Sequence, residues 1–74
     1  MSVEWMPVAG FSTGLEADIA RATLESAGIP VRLRSNRAGL FGATFQGFVP
    51  GGVTLEVPGP ELERARELLD EEAA

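Results

Sequence analysis

Residues 13–34 read TGLEADIARATLESAGIPVRLR, and the order of signals in this stretch decides most of the fold. Thr13 and Glu16 have the spacing of a capping box, in which each side chain satisfies a backbone amide at a helix entry. Leu15, Ile19, Ala20, Thr23, Leu24 and Ala27 then fall on one broad arc at about 100° per residue, with Asp18, Arg21 and Glu25 opposite. Gly28 supplies the left-handed conformation that ends a helix, and Ile29-Pro30 turns the chain outward. The pattern predicts a helix over 13–27. Val31, Arg32, Leu33 and Arg34 next alternate apolar with cationic, which is how a strand with one wet face reads.

Upstream, residues 3–9 predict a strand, because Val3, Trp5 and Val8 suit a half-buried pleat. Pro7 cannot donate to a ladder, so this strand belongs at a sheet edge or beside a bulge. Downstream, residues 53–57 (VTLEV) alternate cleanly before Pro58-Gly59-Pro60 breaks the strand. Pro60 suits the first position of a second helix, where Glu61 and Glu63 are favoured by the helix dipole. Leu62, Ala65, Leu68 and Leu69 form its buried stripe, and Arg66 and Asp70 are spaced to pair. Glu71 and Glu72 sit at the wrong end of the dipole, so the tail is expected to fray. Residues 35–52 carry five of the nine glycines, lack sustained periodicity, and read as one long loop.

Strands alternating with amphipathic helices in so short a chain predict an α+β fold. The expected topology is a truncated ferredoxin-like β-α-β-β-α over a single domain, residues 1–74. Its three-stranded antiparallel sheet takes the order 1-3-2, with two helices on one face. The chain ends where a fourth strand would begin. The first strand therefore keeps a free edge, and the sheet keeps an uncovered face.

Composition narrows the function. The 74 residues are 45% hydrophobic and 23% charged, as folded chains are. His, Cys, Lys and Tyr are absent, which removes most nucleophiles, the usual general base, and imidazole or thiolate metal sites. The carboxylates of Glu61, Glu63, Glu67, Asp70, Glu71 and Glu72 read as a solvated helix face. No enzyme activity, metal or cofactor is therefore expected. A net charge of −5 argues against nucleic-acid backbone binding. The N-terminus MSVEWMP has neither a basic region nor an apolar one, no apolar run approaches the ~18 residues of a spanning helix, and zero cysteine suits a reducing cytoplasm.

Two features point to binding. The 35–52 segment holds Leu40, Phe41, Phe45 and Phe48, which either fold back over the open sheet face or dock a partner. Trp5, the sole tryptophan, is either core or stands on the open face beside an arginine. Residues 32–52 also carry Arg32, Arg34 and Arg37 and no acid, a cationic zone between two acidic ones. Arg32 or Arg34 can pair with Glu56 on the neighbouring strand. The sharper reading is an anion site made by Arg34, Arg37 and the amides near Gly39 and Gly42.

The helix ending Leu24-Glu25-Ser26-Ala27-Gly28-Ile29-Pro30, the strand from Val53 to Val57, and Ala65 with Leu68-Leu69 resemble one family in order and spacing. This is the small bacterial putative signal-transducing protein family, a group of unassigned function. The resemblance spans most of the chain. It implies a PII-like, truncated ferredoxin fold and a regulatory role, and it carries over no catalytic residue. By analogy with PII proteins, the loop between the second and third strands is the functional one. The expectation is a non-catalytic interaction module, with Trp5, Leu40, Phe41, Phe45 and Phe48 contacting the partner. The alternative is a sensor of a small anion or nucleotide at Arg34 and Arg37. A core this small and a sheet this open also predict a homodimer.

Overall fold

The computed structural model describes residues 3–35, 39–40 and 47–73. In chain order the elements are β1 (Trp5–Thr13), α1 (Gly14–Ser26), β2 (Arg32–Ser35), β3 (Gly39–Leu40), β4 (Phe48–Pro58), a 3₁₀ turn (Gly59–Glu61) and α2 (Leu62–Ala73). The sheet order is β1-β4-β2-β3 and every pairing is antiparallel. The expected 1-3-2 arrangement is present as β1-β4-β2, with the two-residue β3 added beyond β2. Both helices pack on β1 and β4 and on each other, so one face of the sheet is covered.

Local chemistry sets the ends of α1. The Thr13 hydroxyl accepts from the Glu16 amide at 3.2 Å and donates to the Glu16 carboxylate at 3.1 Å. The cap thus forms from the side of Thr13 as its spacing implies. At the other end Gly28 takes φ +83°, its amide donating to the Glu25 carbonyl and the Ile29 amide to that of Leu24. This is a Schellman closure, with Leu24 and Ile29 both buried. Arg64 of α2 donates to the Ala27 carbonyl at 2.8 Å and lies 3.5 Å from Glu61. The cation therefore sits where the α1 dipole is negative. The pair expected between Arg66 and Asp70 is not among the ion pairs of the described residues.

The core is Ala17, Ala20 and Leu24 from α1, Ile29, Leu33, Val49, Val53, Leu55 and Val57 from the sheet side, and Ala65 from α2. Leu62, Leu68 and Leu69 pack against it, as their spacing predicts. The face of α1 differs from its apolar arc. Leu15 and Ile19 are 45% and 52% exposed, while Gly14, Ala17, Ala20 and Leu24 are buried. Small residues let the helix backbone approach the sheet, so the contact line runs along Ala17 and Ala20 and leaves the larger side chains outside.

The described parts of the 35–52 segment carry strand structure that its composition does not announce. Ser35 closes β2, Gly39 and Leu40 form β3 against Ser35 and Arg34, and β4 begins at Phe48. Between the pairs Phe11–Val53 and Thr13–Phe48, one residue of β1 faces four of β4. Gly51 and Gly52, at φ +82° and +85°, absorb that excess, and Val49 still reaches the core. The bulge hides the alternation by which a strand is read.

Candidate functional site

Val53, Leu55 and Val57 of β4 are buried under the helices, so Thr54, Glu56 and Pro58 belong to the opposite face. Register carries that face across the sheet. Arg32 lies opposite Glu56 and Arg34 opposite Thr54 on one side, and Trp5 opposite Pro58 and Pro7 opposite Glu56 on the other. On β1 a register shift between Pro7 and Ala9 changes the phase. Beyond it Ala9 and Phe11 lie opposite the buried Leu55 and Val53, with Phe11 packed on the core.

One row on this face is tied together by side chains. The Arg32 guanidinium carbon lies 4.9 Å from the centroid of the Trp5 ring. Its Nε donates to Glu56 Oε1 at 2.6 Å, with Arg32 35% and Glu56 13% exposed. Arg32 and Glu56 are thus paired as cross-strand neighbours, and Trp5 takes the open-face position with a cation over it. Arg34 is exposed, and no carboxylate of the described residues pairs with it. Among the described residues the face therefore presents an aromatic ring, a half-exposed bound guanidinium and an unpaired one. Its carboxylate, Glu56, is already engaged.

The other predicted residues are placed unevenly. Leu40 pairs with Arg34 in register, Gly39 with Ser35, and Phe48 with Thr13. Phe41, Phe45, Arg37 and Gly42 lie outside the described residues. Pro7, exposed beside this row, was not among the expected binding residues, although its place at an edge or bulge was. Arg32 was read as a pairing partner for Glu56, and its position over Trp5 adds it to the surface.

Elsewhere a shallow depression of about 400 Å³ lies between Gly10–Ser12 of β1, Gly51–Val53 of β4 and Glu16 of α1. Three glycines make it hollow, and its charged lining group is the Glu16 carboxylate, which disfavours an anion there. Among the described residues no group of carboxylates has the arrangement of a metal site. No helix among them is long and apolar enough to cross a membrane.

The sequence matches, over residues 5–73, the model of a family described as "Putative prokaryotic signal transducing protein". No curated protein and no solved structure matches the chain.

Proposed function

The chain belongs to this family, described as "Putative prokaryotic signal transducing protein", and on that premise we propose a non-catalytic regulatory module that docks a protein partner on its open sheet face. The observation that carries this reading is Trp5 on the uncovered side of the sheet, with the Arg32 guanidinium over its ring. A tryptophan left half-exposed, with a cation on its face, is a frequent centre of recognition surfaces. Arg34, two residues along β2 from Arg32, is exposed and meets no carboxylate among the described residues, which favours a partner segment that offers one. Leu40 lies opposite Arg34 in register, so the apolar residues of the 35–52 segment, Leu40, Phe41, Phe45 and Phe48, are proposed as the flank of the same surface.

The test uses random peptides selected on the intact protein, with isothermal titration as the readout. Recovered peptides are expected to combine Asp or Glu with an apolar residue. Their binding is expected to weaken about tenfold or more in Trp5→Ala and in Arg34→Ala, the loss typical of a central contact. Peptides that bind both variants as well as wild type would refute the site.

A second reading, a sensor of a small anion, rests on Arg34, which has no carboxylate partner among the described residues, together with Arg37, Gly39 and Gly42. ATP, ADP or phosphate at about 1 mM then raises Tm by mass action. An unchanged Tm removes it.

A further inference from the structure

We infer that a second copy of this chain pairs along the outer edge of β1, joining two sheets antiparallel across a two-fold axis. The sheet has two edges of very different kinds. One is β3, with two residues, and the other is β1, with nine. Among the described residues no strand pairs with the outer side of β1, whose amides and carbonyls form a ready template.

What the edge lacks is as informative as its length. Folded proteins keep such edges single with charged side chains, yet WMPVAGFST contains none. The protective devices present are Pro7, which removes one donor, and the two register shifts. Neither spans the strand.

Charge decides which exposed surface suits a second copy. Antiparallel self-pairing of β1 about a two-fold axis sets uncharged residues against uncharged residues. Stacking two open faces would instead crowd both copies of Arg32 and Arg34 together, with Glu56 already held by Arg32. Like charges directly opposed are destabilising. The edge is therefore fitted to self-association, and the open face is left for a partner of opposite charge. The two surfaces adjoin at Trp5 of β1, whereas Arg34 lies on β2 away from the edge, so a variant at Arg34 tells this inference apart from the docking reading.

A strand-edge contact is small, at the low end of specific interfaces, so a weak dimer in the micromolar range is expected. Sedimentation equilibrium of the full chain from about 1 to 300 μM, spanning that range, is expected to show the apparent mass rising from 7.8 kDa toward twice that value. Gly10 is exposed on β1, and a Cβ built there approaches nothing closer than 3.8 Å. Gly10→Lys, which puts a like charge on both strands, is expected to weaken the dimer at least about tenfold, as edge lysines do by design. Arg34→Ala is expected to leave it unchanged. Hydrogen exchange on the unmodified chain gives a reading that needs no variant: β1 amides gain protection at high concentration. A mass that stays at 7.8 kDa overturns the inference. So does a dimer that Arg34→Ala disrupts, or one in which β1 amides gain no protection.

Discussion

Arg32 shows how one side chain ties sequence to surface. It sits on β2, accepts the ring of Trp5 from β1 and donates to Glu56 on the strand between them. Removing it leaves a mostly buried carboxylate without its donor. Arg32→Ala should therefore cost about 1–2 kcal/mol, below the loss of a fully buried ion pair because Arg32 itself is partly wet. Urea unfolding checks the value, and Trp5 emission should shift as its cation leaves. A cost near zero would mean that the pair is a solvated one with no hold on the sheet. The pairing with Glu56 was legible in the alternation at 31–34, whereas the place of Trp5 was not. Counting by twos from Trp5 puts Ala9 and Phe11 on the same face as the tryptophan. The register shift after Pro7 breaks that count, and only pairing with β4 reveals it.

Elements with local signals were the most readable. Thr13 and Gly28 marked the ends of α1 because caps are made by residues a few positions apart. The buried face of α1 depended on something less local, the distance at which the helix rides on the sheet. An apolar arc drawn from the sequence includes Leu15 and Ile19, yet the contact runs through Ala17, Ala20 and Leu24. The exposed face of α1 is instead laced by Arg21, which pairs with Asp18 and lies 2.8 Å from Glu25. The hydrogen bond to Asp18, foremost, raises the Arg21 pKa above its ordinary value. A mutant pair separates contact from arc. Leu24→Ala should lose about 2–5 kcal/mol through the cavity it opens. Ile19→Ala should change stability by no more than about 0.5 kcal/mol, as surface substitutions do. Comparable losses at both sites, measured by thermal unfolding, would restore Ile19 to the core. β4 failed for a related reason: two glycines in a bulge erase the alternation that announces a strand, so its first five residues read as loop.

At the scale of the molecule the charge is sorted rather than spread. Residues 32–52 carry three arginines and no acid, while the flanking segments carry all eleven acids of a chain whose net charge is −5. The fold turns this linear block into a direction, because Arg32 and Arg34 lie on the one sheet face that no described helix covers. The β1 edge, by contrast, has no charge at all. Salt should therefore separate the two proposed contacts. Exposed charges more than about 10 Å apart are already screened at 0.1 M salt, and closer ones progressively as salt rises toward 1 M. Raising NaCl from about 50 to 500 mM should weaken an acidic peptide on the Trp5–Arg34 face several-fold, since that contact relies on exposed cations. Self-association through β1 should change less than about twofold, because backbone hydrogen bonds and apolar contacts carry no net charge to screen. Isothermal titration of the peptide and sedimentation of the chain, run in the same two buffers, make the comparison direct. If the dimer weakens with salt as steeply as the peptide does, the arginine face is holding the second copy, and the edge assignment is wrong.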